Sequence, residues 1–297
     1  MVGRGRARSA DPGLRALARR ALAEDRWRED ATSRAVLPAG LRVRARLVAQ
    51  APGVLSGVDA AAAVARAAGL KVLARGRNGA RVRRGAVALR VAGPARRVLA
   101  AERTMLNFLM HASGVATATQ RAVAAARGAA PPLEVWGTRK TLPGLRDLEK
   151  RAIVDGGGRP HRHDLADGVL LKTPHLALRP LAEAIGRARG AVGPRTRIEV
   201  EVRSAAEALA AARAGADALL LDNRTPGAAR AIVRALERAG LRRGRWIELS
   251  GGIGPADVRR YRSVGADAVS LGALTHSAAA LPFHLVLEPD RLRHPHP

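Results

Sequence analysis

Six short apolar runs in the second half of the chain each end where polar or glycine residues begin. Stretches rich in alanine and arginine, with the character of helices, separate most of these runs at roughly the spacing of one strand–helix unit. In an α/β barrel the carboxyl ends of all strands open on one face, where chemistry collects. The pattern therefore predicts six strands that converge on one cleft. The runs and the residues that follow them are Leu133–Trp136 before Thr138, Arg139 and Lys140; Val169–Leu171 before Lys172; Ile198–Val200 before Glu201; Ala218–Leu221 before Asp222 and Asn223; Trp246–Leu249 before Ser250, Gly251 and Gly252; and Ala268–Leu271 before Gly272.

The groups expected in this cleft suit an anionic, phosphorylated substrate. Two lysines and an arginine supply positive charge, two carboxylates can hold a metal ion or a sugar, and a glycine-rich turn can approach a phosphate closely. An alternative interpretation is that these glycines only form turns and bind no phosphate. The strand ends thus predict a site for a phosphorylated substrate and a metal.

Bulk composition is consistent with a cytosolic enzyme. The 297 residues suffice for one barrel with an extra domain, and 47% are hydrophobic although only 2% are aromatic. The chain has no cysteine, which excludes disulfides and thiolate catalysis and favours a cytoplasmic location. No apolar run is long enough for a membrane span, and the basic start lacks the apolar segment of a secretory signal.

The formal charge of +27 raises the hypothesis of a basic nucleic-acid-binding protein. The arginines are spread along the whole chain, and no aromatic residues are interleaved with them for base stacking. We interpret the charge as compositional, with arginine on solvated helix faces where many proteins use lysine. A positive field still attracts anionic substrates, and a salt-titrated binding assay distinguishes this hypothesis from an enzyme.

The pattern divides the chain into three parts. Residues 1–10 are predicted to be a disordered basic tail, residues 11–118 a strand-rich α+β domain joined by residues 278–297, and residues 119–277 the barrel. Within the α+β domain, Asp30 to Ser33 reads as a polar loop, and a long helix from Val98 to about Arg127 is expected to break near Gly114.

Eight short motifs follow one another along the chain. They are residues 101–107 (AERTMLN), 113–117 (SGVAT), 138–146 (TRKTLPGLR), 156–162 (GGGRPHR), 199–202 (EVEV), 221–223 (LDN), 250–253 (SGGI) and 272–277 (GALTHS). Each motif is weak alone, but in this order they resemble quinolinate phosphoribosyltransferase, the family also known as nicotinate-nucleotide pyrophosphorylase (carboxylating). The resemblance extends over nearly the whole chain from about residue 11.

The resemblance implies a fold, a reaction and an assembly. The fold is an α/β protein with an N-terminal α+β sandwich domain and an incomplete α/β barrel. The reaction converts quinolinate and phosphoribosyl pyrophosphate to nicotinate mononucleotide, pyrophosphate and CO2 with Mg2+, in de novo NAD biosynthesis. The assembly is a homodimer, or an oligomer of dimers, whose active sites are shared, so that Arg103 serves the partner subunit's site.

Candidate roles follow from the resemblance and from the chemistry of each side chain. Guanidinium groups suit the two carboxylates of quinolinate, and carboxylates suit the ribose hydroxyls, the positive charge of ribosyl transfer and a metal. Period two leaves Glu199 and Glu201 on the same face, and only the family pattern favours Glu201. His276 can reach the phosphate or simply cap a helix. The expected quinolinate-binding residues are Arg103, Arg139, His161, Arg162 and Lys172; the catalytic residues are Lys140, Glu201 and Asp222; the metal ligands are Glu201 and Asp222; and the phosphoribosyl pyrophosphate-binding residues are Lys140, Lys172, Glu201, Asp222, Ser250, Gly251, Gly252, Gly272, Ala273 and His276.

The chain departs from the family pattern at four positions. The family usually has aspartate at Gly137, asparagine at Pro160, and Lys-Asp-Asn-His where this chain has Lys-Thr-Pro-His at residues 172–175. Thr173 thus removes a possible ribose or metal contact. A related group, the molybdenum-transport-associated phosphoribosyltransferases, also departs here, so a paralogous enzyme acting on another aromatic acid is the alternative hypothesis.

Overall fold

The computed structural model describes residues 12–129, 132–193 and 196–289. The predicted basic tail, residues 1–10, lies outside the described residues. The described chain forms two compact units, one of residues 12–117 with 279–289 and the other of residues 118–278. Within the described residues, no helix has both the length and the apolar character needed to cross a membrane.

The first unit is built on a four-stranded antiparallel sheet in the order β12–β1–β5–β3, joined by a separate two-stranded pair, β2–β4. Side chains alternate along β1, where Val43, Ala45 and Leu47 are buried, because successive residues of a strand face opposite sides. The last strand pairs with β1, which brings the C-terminal segment into this sheet. The strands are β1 (Arg42–Ala49), β2 (Gly53–Val54), β3 (Lys71–Arg75), β4 (Arg81–Val82), β5 (Val87–Pro94) and β12 (Phe283–Pro289).

Four α-helices begin in the first unit: α1 (Pro12–Glu24), α2 (Ala31–Val36), α3 (Val58–Ala67) and α4 (Ala95–Ala126). The prediction of a polar loop from Asp30 to Ser33 is wrong, because α2 begins at Ala31 with Asp30 as its N-cap. The Asp30 carboxylate accepts a hydrogen bond from the backbone N–H of Ser33 at 3.1 Å. Hydrogen bonds from the side chain and the backbone of Ser33 lower the pKa of Asp30. The polar residues therefore cap a helix.

The helix break expected near Gly114 is also wrong, since α4 continues without interruption past that residue. Gly114 is required by packing: a Cβ atom placed on it would lie 2.3 Å from the carbonyl oxygen of Ala279. Glycine here permits the close approach of the returning chain.

Gly114→Ala is therefore expected to destabilise the protein by roughly 2 kcal/mol, because the added methyl group overlaps backbone atoms that cannot simply rotate away. The matched control is Gly186→Ala in the interior of helix α7 (Leu181–Ala191), where an added Cβ meets nothing within 4 Å. That change should stabilise by about 1 kcal/mol through helix propensity. Denaturant midpoints of both variants test this, and equal midpoints would contradict the packing argument.

The second unit contains a six-stranded, wholly parallel sheet in the order β6–β11–β10–β9–β8–β7. The first two strands in sequence form its two edges, so the barrel is incomplete, and a single parallel bridge from Arg159 to Trp136 extends one edge. All six apolar runs of the sequence are strands of this sheet. They are β6 (Glu134–Trp136), β7 (Val169–Leu171), β8 (Ile198–Val202), β9 (Ala218–Asp222), β10 (Trp246–Ser250) and β11 (Ala268–Ser270).

The barrel strands alternate between an apolar face and a face that carries polar groups. Ile198, Val200, Leu219 and Leu221 belong to one buried core with helix residues such as Ile232. The intervening residues of the strands occupy the opposite face. This alternation places carboxylates on the inner face of the open barrel. The remaining α-helices of this unit are α5 (Arg146–Asp155), α6 (Thr173–Leu178), α7, α8 (Ala205–Arg213), α9 (Pro226–Arg238) and α10 (Ala273–His276).

Candidate active site

The carboxyl edge of the parallel sheet gathers most of the predicted site residues. Asp222 is the last residue of β9 and is the register partner of Ser250, the last residue of β10. Ser250 in turn pairs with Ser270 of β11. Lys172 directly follows β7, and Gly272 lies two residues beyond the last residue of β11. Because parallel strands end at the same edge, residues that are distant in sequence lie side by side.

Lys140 and His276 meet at Gly272. A Cβ atom on Gly272 would lie 2.8 Å from Cδ of Lys140 and 2.9 Å from Nε2 of His276. The Thr275 hydroxyl donates to the carbonyl oxygen of Lys140 at 2.7 Å, which ties this loop to the start of α10 at Ala273. A glycine at position 272 therefore lets a lysine and a histidine converge above the end of β11.

The turn after β10 requires glycine. Gly251 and Gly252 have φ values of +94° and +63°, in the left-handed region. A Cβ atom on Gly251 would lie 2.4 Å from Oδ1 of Asn223, whose own backbone N–H donates to the Ser250 carbonyl at 2.8 Å. The turn thus packs tightly against the end of β9, beside Asp222.

Glu201 is held by the residues that follow β7. The hydroxyl of Thr173 donates to Oε1 of Glu201 at 2.7 Å, and the Thr173 backbone N–H donates to the same oxygen at 3.3 Å. The other oxygen, Oε2, lies 4.0 Å from Nζ of Lys172. The Glu201 side chain is only 12% exposed, so this carboxylate has a defined orientation.

A second group consists of four basic residues on the loop after β6, on α5 and on the loop between α5 and β7: Arg139, Arg146, Lys150 and Arg162. Burial and the neighbouring charge of Arg139 lower the pKa of Arg162, and burial together with the charge of Arg146 lowers the pKa of Lys150 to about 8. The Nε atom of Arg139 is buried and lacks a hydrogen-bond partner within the described part of the chain. Such a concentration of cations is stabilised by an anionic ligand.

Lys150 was missed by the sequence analysis. Its ammonium group donates to the carbonyl oxygen of Pro160, immediately before His161 and Arg162, so it supports the loop that carries both residues. This hydrogen bond uses the backbone carbonyl of residue 160, so it does not depend on which side chain stands at that position. Gly137 also has a packing reason, because a Cβ atom there would lie 2.4 Å from Cδ1 of Ile153. The departures at positions 137 and 160 are therefore accommodated by the fold.

His161 and Arg162 also line a cavity of about 510 Å3 inside the barrel. Nε2 of His161 lies 3.3 Å from Oε1 of Glu248 and 3.9 Å from Oε2 of Glu199. Nδ1 of His161 accepts the backbone N–H of Arg162 at 2.6 Å, so Nε2 is the protonated nitrogen that faces the carboxylates. The indole of Trp136 stands edge-on to the imidazole, with centroids 5.3 Å apart.

Glu248 is a further residue that the sequence analysis missed. It is 1% exposed, and its alternation with Ser250 on β10 was the available signal. Glu199, which period two could not distinguish from Glu201, is separated from it by the structure: Glu199 faces Glu248 and His161, whereas Glu201 faces Lys172 and Thr173. Burial and the charge of Glu248 raise the pKa of Glu199 to about 8.

Glu199→Gln is expected to change how stability depends on pH. The pKa of Glu199 lies above its ordinary value of 4.5, so the folded protein keeps a proton that the unfolded chain releases between about pH 4.5 and pH 8. The contribution of protonated Glu199 to the free energy of unfolding is fully present below pH 4.5 and is lost as the pH rises toward 8. Glutamine resembles the protonated acid, so the variant should gain on the order of 4 kcal/mol relative to wild type between pH 5 and pH 8.5.

Chemical denaturation at the two pH values measures this gain. Glu237→Gln, an exposed position on α9, is the control and should show no such change. Parallel pH profiles for Glu199→Gln and wild type would contradict the raised pKa.

The predicted site residues fall into two groups. Lys140, Lys172, Glu201 and Asp222 lie at the carboxyl edge of the sheet, and none of them lines the 510 Å3 cavity that His161 and Arg162 share. Arg103 is an exposed residue of α4 in the first unit, and its predicted role stays a prediction.

An open parallel barrel with lysines, carboxylates and a glycine turn at its strand ends defines an enzyme class, one that acts on anionic, phosphorylated substrates. The family model "Quinolinate phosphoribosyl transferase, C-terminal domain" matches residues 115–286, and the corresponding N-terminal domain model matches residues 30–113. The chain belongs to the quinolinate phosphoribosyltransferase family.

Curated relatives and solved structures agree with this assignment. The chain is 39% identical to the probable nicotinate-nucleotide pyrophosphorylase (carboxylating) of Methanothermobacter thermautotrophicus, over 88% of this chain and 93% of that protein. It is 40% identical to the Mycobacterium leprae nicotinate-nucleotide pyrophosphorylase (carboxylating), over 91% and 95%. The crystal structure of NadC from Streptococcus pyogenes superposes with a TM-score of 0.84 at 34% identity, covering 93% of this chain and 96% of that one.

Proposed function

We propose that this protein transfers the phosphoribosyl group of phosphoribosyl pyrophosphate to quinolinate with loss of CO2, giving nicotinate mononucleotide and pyrophosphate. The observation that carries this proposal is the meeting of Lys140, Lys172, Glu201 and Asp222 at the carboxyl edge of one parallel sheet in a member of this family. This reaction is a step of de novo NAD biosynthesis.

Quinolinate is an aromatic dianion, and the group of basic residues that includes Arg139 and Arg162 suits its two carboxylates. A guanidinium can donate two parallel hydrogen bonds to one carboxylate. Arg139 and Arg162 lie close enough for Arg139 to lower the pKa of Arg162, and the buried Nε of Arg139 lacks a partner within the described residues. We assign the acceptor's carboxylates to these two arginines. His161, which precedes Arg162, and Lys172 at the carboxyl edge are further proposed contacts.

Phosphoribosyl pyrophosphate is assigned to the carboxyl edge of the sheet. Transfer places positive charge on the ribose ring as pyrophosphate departs, so carboxylates beside the sugar stabilise the transition state. Glu201 and Asp222 take that role, and Lys140 neutralises the leaving group. The turn at Ser250–Gly252, with the loop at Gly272, Ala273 and His276, takes the terminal phosphate through backbone and small side chains.

Mg2+ fits the donor set at this edge. Oε1 of Glu201 is occupied by hydrogen bonds from Thr173, which leaves Oε2, and Oδ1 of Asp222 accepts the Asn223 side-chain amide at 2.9 Å. Magnesium is commonly bound through one or two carboxylate oxygens together with substrate phosphates and water. When bound, the ion would neutralise pyrophosphate charge, and Glu201 and Asp222 are the residues that would hold it.

Loss of CO2 needs little from the protein. Once the ring nitrogen carries the ribosyl group it is positive, and it accepts the electron pair left as CO2 departs. The ring carbon that lost the carboxylate then takes up a proton, which a general acid must deliver. The residues around the ring therefore orient the substrate and exclude water. The shared active site of a homodimer, with Arg103 contributed by the partner subunit, belongs to the same proposal, and the cytoplasmic location stays a prediction.

The alternative acceptor, another aromatic acid, is favoured by one observation: Thr173 and Pro174 replace the usual Asp-Asn beside Lys172. Product analysis separates the two hypotheses. Purified protein incubated with quinolinate, phosphoribosyl pyrophosphate and Mg2+ is expected to form nicotinate mononucleotide, pyrophosphate and CO2 in equal amounts, as measured by mass spectrometry and CO2 release. Transfer to another aromatic acid, without CO2 release from quinolinate, would favour the paralogous activity.

A further inference from the structure

Thr173 occupies the position where the family pattern has aspartate, and it contacts a proposed catalytic carboxylate. It is the first residue of α6 and directly follows Lys172. Its hydroxyl and its backbone N–H both donate to Oε1 of Glu201, at 2.7 Å and 3.3 Å. One oxygen of Glu201 is thereby occupied entirely by donors from a single residue.

This arrangement fixes which oxygen of Glu201 remains for a ligand. A glutamate side chain has several rotatable bonds and loses substantial entropy when it is ordered. The two hydrogen bonds supply that order before substrate arrives, and they leave Oε2 on the side of Lys172, 4.0 Å from its Nζ. Oε2 is thus presented together with a positive charge.

An aspartate at position 173 could not make the same contact. An ionised carboxylate has no proton to donate, so it would face Oε1 of Glu201 as a like charge at hydrogen-bond distance. Pro174, at the first turn of α6, needs no N–H there and restricts the backbone of the preceding residue. Thr173 and Pro174 together therefore replace a possible carboxylate pair with a hydrogen-bonded, pre-oriented glutamate.

We propose that Thr173 is a positioning residue that orients Glu201 so that Oε2 faces phosphoribosyl pyrophosphate, toward both its ribose hydroxyls and the Mg2+ that would be bound with it. The identity of this ligand rests on the proposed function. The contact between Thr173 and Glu201 joins α6 to β8 and includes neither Arg139 nor Arg162, so we expect it to act on the sugar phosphate and not through the arginines assigned to the aromatic acid.

The experiment compares Thr173→Val, which has the same shape without a hydroxyl, with Thr173→Ser, which keeps the hydroxyl. Calorimetric titration of phosphoribosyl pyrophosphate with Mg2+, without quinolinate, gives Kd for each full-length protein. Thr173→Val should weaken binding about 10-fold, because a hydrogen bond to a charged group is lost, and Thr173→Ser should stay within about 2-fold of wild type. In steady-state assays the KM for phosphoribosyl pyrophosphate should rise with Thr173→Val while the KM for quinolinate stays constant.

Equal Kd values for Thr173→Val and wild type would overturn the proposal, as would equal weakening by Thr173→Val and Thr173→Ser. A thermal melt of each variant shows that the folded state is intact, and Thr173→Ser keeps the comparison valid if Thr173→Val folds poorly. Wild type that binds phosphoribosyl pyrophosphate but leaves quinolinate unchanged would overturn the proposed acceptor alone. Wild type that fails to bind phosphoribosyl pyrophosphate would overturn both the proposed function and the role of Thr173.

Discussion

Replacing Arg139 or Arg162 with alanine is expected to raise the KM for quinolinate about 100-fold, which corresponds to roughly 3 kcal/mol. Each variant leaves one carboxylate of the dianion without a charge-assisted partner. The two guanidinium groups already disfavour each other in the free protein, since Arg139 lowers the pKa of Arg162. Binding of a dianion relieves that repulsion, so removal of either guanidinium group should weaken quinolinate binding strongly. Initial rates at saturating phosphoribosyl pyrophosphate measure the effect.

Arg213→Ala is the matched control, because Arg213 is an exposed arginine on α8. It should leave the KM for quinolinate unchanged, which separates specific pairing from the general positive field. Nicotinate has one carboxylate, so it should be a poor substrate for wild type. Efficient turnover of nicotinate, or equal effects of Arg213→Ala and Arg162→Ala, would contradict a pocket built for two carboxylates.

Two inactive variants should restore activity when their subunits are mixed. If Arg103 serves the partner subunit's site, an Arg103→Ala chain retains an intact Lys140, and a Lys140→Ala chain can lend it Arg103. One of the two sites in a mixed dimer then contains only native residues. Random exchange produces about half mixed dimers, so the mixture should recover roughly a quarter of wild-type activity.

Subunit exchange must be verified, for example by differential tagging and native mass spectrometry. Each variant alone, taken through the same exchange procedure, is the control and should stay inactive. No recovery in a mixture that contains mixed dimers would show that Arg103 and Lys140 act in the same subunit's site. A monomeric protein with full activity would exclude the shared site altogether.

The strands of the barrel were predictable because local sequence determines them. Each apolar run is buried against helices on one face, and each ends at the carboxyl edge of the sheet, so residues such as Lys172 and Asp222 could be placed from the sequence alone. The family resemblance implied an incomplete barrel, but the positions of β6 and β7 at the edges of the sheet were not predicted, because periodicity carries no information on strand order.

The errors and omissions have physical causes in long-range packing. Gly114 resembles a helix breaker in sequence, but its lack of a side chain makes room for residue 279, which is distant along the chain. Alternation along β10 places Glu248 on the same face as Ser250, but neither this pattern nor the helical pattern around Lys150 shows which residues the two side chains meet. Their relevance comes from neighbours such as Pro160 and His161, which only the folded chain brings close.

The most direct test of the central claim is a continuous ultraviolet assay of quinolinate consumption by the purified wild-type protein. We expect absorbance of quinolinate to fall only when phosphoribosyl pyrophosphate and Mg2+ are both present, and to remain constant when either is omitted. Lys140→Ala, prepared in parallel, should show no consumption above background. A folded, dimeric wild-type protein that consumes no quinolinate under these conditions would contradict the account.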